Sequence, residues 1–165
     1  MLRLASGGKK TGKEDVRKGI LDKRWGKTFM NHEGHKAHEE ITKEVEIVAR
    51  ATVDAGLKVH RELGPGLLET AYEHCLAYEL TARGLVCQRQ VILPIVYDGV
   101  KLDAGFRPDL IVENAVVVEI KSIDVLTRIH EAQILTYLRL SSCRIGLLMN
   151  FNVPLFKNGL RRFVL

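Results

Sequence analysis

The chain has 165 residues, 46% of them hydrophobic but only 6% aromatic, so it fits one domain with a largely aliphatic core. No apolar run is long enough to span a membrane, and charges occupy the N-terminus where a signal peptide would carry its apolar stretch, so a cytoplasmic protein with no membrane partner is expected. The net charge of +5 sits mostly in residues 1–40, with ten Lys/Arg against six Asp/Glu, whereas residues 41–165 hold fifteen against fourteen.

Residues 1–40 lack sustained apolar periodicity and are rich in Gly, Lys and His, which predicts a basic, poorly ordered extension ahead of a domain over 41–165. Such an arm can add salt-sensitive attraction to phosphate backbones or be a plain solvated tail. Met30 stands within it as an alternative start. His32, His35 and His38 recur every third residue, but with no scaffold or acidic partners they read as an incidental polar run rather than a metal site. Cys75, Cys87 and Cys143 are too few and too scattered for a disulfide framework or a cysteine-based zinc site. They are expected to be reduced core thiols.

From Ile41 to about Leu63, the residues Ile41, Val45, Val48, Ala49, Thr52, Ala55, Val59 and Leu63 recur at helical spacing, and Gly64-Pro65-Gly66 ends that helix. A second helix is predicted from about Leu67 to Arg83, with Leu68, Ala71, Tyr72, Cys75, Leu76, Tyr78 and Leu80 as its apolar surface and Gly84 as a left-handed cap. The period then becomes that of strands. One is predicted over Val86–Val96, closed by the turn pair Asp98-Gly99, and others over Val100–Ala104, Leu110–Val112 and Ala115–Ile120. A helix over Val125–Leu140 and a strand over Arg144–Asn150 follow, and the chain closes near Arg161–Leu165. This order predicts an α/β layer architecture around one small mixed sheet flanked by helices.

The chemistry concentrates in Arg107-Pro-Asp109 and Glu119-Ile-Lys121. Two carboxylates and a lysine interrupt runs that otherwise read as buried strands, and buried charge is costly unless it is paired or holds a metal. Glu119 and Lys121 share a face by the two-residue period. Asp109 joins them only if the hairpin has the right parity. A two-residue turn at Glu113-Asn114 would oppose Asp109 to Val118, whereas the three-residue connection Glu113-Asn114-Ala115 opposes it to Glu119. The odd connection, or an equivalent bulge, is expected. Asp109 and Glu119 can then bind one Mg²⁺ through oxygen, with the Ile120 carbonyl beside them and Lys121 next to the phosphate or the attacking water. An isolated Glu-x-Lys triplet is more often an ordinary exposed pair, but here it has company. Glu69 lies in the first turn of a helix, where the dipole favours an anion, and Tyr72 shares its face. His130, Gln133 and Tyr137 form a polar stripe on the following helix, able to orient a phosphate or the lysine. His60, His74 and His130 are read individually as surface or satisfied histidines, and Cys87 and Cys143 have no histidine partner for thiol chemistry.

In these motifs the chain resembles the bacterial family named for its Gly-x-x-Glu-x-x-Tyr signature, here Gly66-Leu-Leu-Glu69-Thr-Ala-Tyr72. The likeness continues through Gly105-Phe-Arg-Pro-Asp109, Val118-Glu-Ile-Lys121 and Gly146-Leu-Leu-Met-Asn-Phe-Asn152. That family belongs to the PD-(D/E)xK nuclease-like superfamily. The resemblance implies a restriction-endonuclease-like αβββαβ core with the site on its central strands. It also implies that Asp109 and Glu119 are metal ligands, Glu69 the helix-borne acidic residue of the metal site, and Lys121 the catalytic lysine. Gln133 and Tyr137 match the Gln-x-x-x-Tyr element that follows the lysine in one branch of the superfamily. The expected activity is Mg²⁺-dependent hydrolysis of DNA, with Mn²⁺ as a substitute metal. The alternative is a non-catalytic module that keeps the fold and binds nucleic acid or protein. A near-neutral core suits a weak binder or a chain recruited by a protein partner, and the resemblance implies a homodimer for cutting both strands. Arg83, Arg89, Arg107, Arg128, Arg139 and Arg144 are candidates to line the cleft.

Overall fold

Thr42 begins the first helix by accepting the Val45 N–H on its hydroxyl at 3.4 Å, leaving α1 to run over Lys43–Leu63. The computed structural model describes residues 41–165. The readings made on residues 1–40, namely the unordered basic arm, the His32, His35 and His38 repeat and Met30, lie outside the described residues. The buried stripe of α1 is Ala49, Thr52, Ala55, Gly56, Val59 and His60, close to the predicted face, while Leu63 is left exposed. The helix ends at Gly64, whose φ of 66° is in the left-handed region.

Helix α2 spans Glu69–Ala82 and buries Tyr72, Leu76 and Leu80. Its predicted cap is present: Gly84 adopts φ 81°, its N–H reaches the Thr81 carbonyl, and Leu85 N–H reaches the Leu80 carbonyl at 3.1 Å. Leu68 and Tyr78, read from the sequence as part of the apolar surface, are 77% and 75% exposed. Leu68 precedes the helix, and Tyr78 points off the stripe that meets the sheet.

The main sheet contains β1 (Cys87–Arg89), β4 (Leu110–Val112), β5 (Val116–Lys121), β6 (Ile145–Asn150) and β7 (Leu160–Val164), in the order β1-β4-β5-β6-β7. Only β5 and β6 run parallel, so the sheet is mixed. The expectation of a single sheet is corrected by a separate antiparallel pair, β2 (Leu93–Tyr97) and β3 (Val100–Phe106). The run Val86–Val96 is likewise two strands rather than one. Gln90 takes φ 51° and turns the chain between β1, which pairs with β4, and β2, which pairs with β3. The C-terminal stretch forms a short helix, α4 (Phe156–Gly159), and the edge strand β7.

Side-chain alternation along β5 divides the core. Val116, Val118 and Ile120 face α1 and α2, while Val117 faces α3 (Arg128–Ser141) together with Ile134, Tyr137 and Leu138. Glu119 and Lys121 therefore belong to the α3 face. The parity of the hairpin is the expected one. Val112 pairs with Val116 across Glu113-Asn114-Ala115, and Leu110 with Val118, so the next opposed pair is Asp109 and Glu119. Among the described residues no helix is long and apolar enough to cross a membrane.

Gly159 is where the C-terminal turn closes on the sheet. A Cβ there would stand 2.1 Å from the Asn150 carbonyl oxygen, a backbone atom that cannot swing aside. Gly159→Ala is expected to destabilise the protein by about 2 kcal/mol or more and to lower the melting temperature by roughly 5 °C. A thermal melt superimposing on that of the parent would contradict this packing.

Candidate active site

The site forms at the end of β5, where strand polarity and the first turn of α2 bring charged groups onto a mostly apolar scaffold. Asp109 is fixed on both carboxylate oxygens: Oδ2 accepts the Ile120 N–H at 2.7 Å and Oδ1 accepts Gln90 Nε2 at 3.0 Å. Its own carbonyl accepts the Gln90 N–H at 3.1 Å. Glu119 is only 2% exposed. Its Oε1 accepts Lys121 Nζ at 2.5 Å, whereas Oε2 is buried with no hydrogen-bond partner. Glu69, the first residue of α2, accepts the Ser122 N–H on Oε1 at 3.0 Å. On α3, Gln133 Nε2 donates to the Tyr137 hydroxyl at 2.9 Å, and Tyr137 is buried with its ring edge-on to Phe106.

Electrostatics tie these groups into one neighbourhood. Burial pushes the Glu119 carboxyl up to about 7; the charges of Asp109 and Glu69 add to the shift and the Lys121 hydrogen bond and charge oppose it. Asp109 is also raised, first by burial, against the Ile120 and Gln90 hydrogen bonds and the charge of Lys121. For Lys121 burial disfavours the ammonium, but the hydrogen bond to Glu119 and the charges of Glu119, Glu69 and Asp109 outweigh it and raise its pKa. Burial lifts the Tyr137 phenol too, helped by the charges of Glu119 and Asp109 and opposed by the Gln133 hydrogen bond and Lys121. Three carboxylates thus face one ammonium. Among the described residues no three His, Cys, Asp or Glu side chains are arranged as a ligand cage, and each of these carboxylates accepts a hydrogen bond from its own donor. The buried, unpartnered Oε2 of Glu119 is nevertheless a place that calls for a proton or a cation.

A family model described as the PD-(D/E)XK nuclease superfamily matches residues 46–163. The chain belongs to that superfamily. No curated protein and no solved structure matches it at a significant level. The mixed five-stranded sheet flanked by helices is consistent with the restriction-endonuclease-like fold. Membership suggests a nuclease-like function and a nucleic-acid substrate in general, and nucleases of this superfamily typically use divalent metals.

Within this superfamily fold, Glu69, Asp109, Glu119, Lys121, Gln133 and Tyr137 all fall inside the matched segment. His130 separates from the polar stripe: its Nδ1 accepts the Thr127 N–H at 3.0 Å and so finishes the start of α3. His60 is satisfied by the Val153 carbonyl at 2.8 Å and packs on Phe151 and Phe156. His74 is exposed and contacts the Thr70 carbonyl and Arg89. All three cysteines are free, and burial pushes the Cys87 and Cys143 thiols up, away from thiolate chemistry.

Two of the arginines proposed for the cleft stand away from it. Arg83 pairs with Glu79 at the far end of α2 from Glu69, and Arg144 precedes β6 at the end of the sheet opposite Lys121. Arg107, just before Asp109, and Arg128 and Arg139, at the two ends of α3, are exposed. Arg89 is linked to the site through Glu73, at 2.8 Å.

Three supporting residues went unnoticed in the sequence. Gln90 Nε2 bridges Glu73 Oε2 and Asp109 Oδ1, each at 3.0 Å, so the buried Glu73 and its partner Arg89 fix the amide that aims Asp109. Glu73 is one helical turn after Glu69, which is the signal that would have found it. Asn150, 2% exposed, accepts the Ile123 N–H and donates to the Ile123 carbonyl, holding the chain just past Lys121.

The raised Glu119 carboxyl has a signed consequence for stability. Unfolded, the group titrates near 4.5; folded, near 7. The contribution from holding its proton is complete below about pH 4.5 and is lost as pH rises through 7, with a ceiling of roughly 3 kcal/mol. In EDTA, the melting temperature should therefore fall between about pH 5 and pH 8, and Glu119→Gln should flatten the decline. Parallel curves for the two proteins would remove Glu119 as its source.

Proposed function

We propose that the chain is a cytoplasmic, Mg²⁺-dependent deoxyribonuclease of the Gly-x-x-Glu-x-x-Tyr family, with residues 41–165 as its nuclease domain and residues 1–40 as an extension. The observation that carries this reading is the unpartnered, buried Oε2 of Glu119, a carboxylate that feels the charge of Asp109 and is bonded through Oε1 to Lys121. A cation there would supply the missing partner and favour ionisation of both raised carboxyls. Asp109 and Glu119 would hold it, with Glu69 and the Ile120 carbonyl completing the protein's share. Backbone polarity supports the last of these. The Lys121 carbonyl faces β6, where it accepts the Phe151 N–H at 2.8 Å, so the preceding carbonyl points to the opposite edge, the one on which the Ile120 N–H meets Asp109.

Bound Mg²⁺, or Mn²⁺ in its place, supplies an acidified water and offsets charge on the phosphoryl oxygens. Lys121, whose ammonium is favoured by its carboxylate neighbours, remains charged at neutral pH and stabilises the charge that builds on the phosphate. Gln133 and Tyr137, already bonded to each other, orient the phosphate or the lysine from α3. Glu73 and Gln90 hold Asp109 at its angle. Cutting both strands of a duplex would call for a second copy or a recruiting partner.

The competing reading, a nucleic-acid- or protein-binding module without catalysis, draws on the Glu119–Lys121 ion pair, which occupies one of the would-be ligand oxygens. Incubating the purified protein with plasmid, linear and single-stranded DNA, with Mg²⁺, Mn²⁺ or EDTA, separates the two. Metal-dependent cleavage is expected, with Asp109→Ala and Lys121→Ala each slower by about 100-fold or more while melting cooperatively. Cleavage in EDTA, or full activity in Lys121→Ala, would count against the mechanism.

A further inference from the structure

A groove of about 620 Å³ opens beside the proposed site, with Arg61, Gly64, Pro65, Leu155 and Lys157 in its lining. Its position follows from the topology. Strands β5 and β6 are parallel with Lys121 level with Asn150, so the segment after β6 leaves the sheet at the end that carries the site. The last turn of α1 is pinned to that segment by the His60–Val153 hydrogen bond of 2.8 Å. The Gly64–Leu67 loop is braced by the Tyr72 hydroxyl, which donates to the Gly64 carbonyl and accepts the Leu67 N–H. Leu67 in turn accepts Ser122 Oγ at 2.6 Å, one residue past Lys121. The groove and the acidic site thus lie at the same end of the sheet and are linked by this run of hydrogen bonds.

Charge distinguishes this groove from its neighbours. Arg61 and Lys157 are exposed, neither forms an ion pair among the described residues, and no Asp or Glu lines the cavity. Grooves elsewhere along α1 carry both signs, Arg50 and Arg162 with Asp54 in one, Lys58 with Glu62 and Glu79 in another. Gly64 leaves its part of the lining open, since an added Cβ there would meet nothing within 4 Å. On a domain whose acidic and basic residues nearly balance, a single-signed groove beside three carboxylates is a selective feature.

We infer that this groove carries the backbone of the nucleic-acid strand adjoining the cleaved bond, with Arg61 and Lys157 each meeting a phosphate. The inference rests on the nuclease reading and extends it by naming where the strand leaves the site. Two exposed cations on different elements, α1 and α4, suit a polyanion laid along the groove, and the absence of acidic lining spares the strand a repulsive contact.

The test is the salt dependence of binding. Labelled single-stranded and duplex DNA are titrated with the full chain on the Lys121→Ala background in Mg²⁺, with and without Arg61→Ala/Lys157→Ala. Each lost phosphate contact should make the slope of log K against log salt shallower by about 0.7 for a single strand or about 0.9 for a duplex. The double variant should therefore lose about twice that and bind roughly tenfold more weakly or worse at 0.1 M salt. Arg61→Lys/Lys157→Arg should keep the parental slope, and so should Lys43→Ala/Arg139→Ala, whose side chains stand elsewhere. An unchanged slope in the alanine variant would overturn the groove assignment while leaving metal-dependent cleavage by the wild-type chain intact. Competition by a deoxynucleoside monophosphate as effective as competition by the strand would overturn it in favour of a small-phosphate pocket. Absence of metal-dependent cleavage by the wild-type chain instead removes the nuclease reading itself.

Discussion

The register between β4 and β5 is the constraint on which the rest of the site depends. Side chains alternate with a period of two, so a slip of one residue would send Asp109 to the other face of the sheet from Glu119 and Lys121. The three residues Glu113-Asn114-Ala115 prevent that slip, with Glu113 and Asn114 both at positive φ to close the turn. A connection far from the chemistry at the other end of the hairpin therefore decides whether the acidic groups meet. The strongly apolar flanks reinforce it, because any other register would bring polar groups into the aliphatic layer.

Once that register is set, the energetic tension is concentrated on Glu119. Its neighbours compensate incompletely: Lys121 satisfies one oxygen, Asp109 repels, and the second oxygen has no donor. Removing a charged oxygen from water without a partner is among the costlier things a fold can do. The structure spreads support around this point instead of relieving it directly. Gln90, Glu73 and Arg89 hold Asp109 from the α2 side, and Asn150 holds the segment beyond Lys121 from β6. Local instability that is retained and braced is the pattern expected where a site is kept ready for a ligand.

Much of this was legible in the sequence, and for identifiable reasons. Helix α1 was visible because its apolar stripe is regular, and both α1 and α2 because glycines punctuate their ends. The odd hairpin connection followed from parity alone, since only one choice brings Asp109 level with Glu119. Local pattern failed where partners are distant. Val86–Val96 has continuous strand composition, and only the different pairing partners of β1 and β2, with Gln90 turned between them, divide it. Edge strand β7, with two exposed arginines in five residues, carries little periodic signal. The bridge from Glu73 through Gln90 to Asp109 joins residues up to 36 positions apart, and the arginines proposed for the cleft could not be sorted without knowing which end of each element they occupy.

Tyr72 gives the stretch Gly64–Tyr72 a mechanical meaning. Its ring lies stacked on Phe151 at a centroid distance of 4.4 Å, while its hydroxyl ties both ends of the Gly64–Leu67 loop. Between that loop and the ring sits Glu69, so its carboxylate is set by a brace anchored in the aliphatic interior. Gly64, Leu67 and Tyr72 are thereby tied into one bracket just ahead of and behind Glu69 in the chain. A phenylalanine at the same place would preserve the interior stack yet leave the bracket unlatched, uncoupling the acid's aim from the solidity of the fold beneath it.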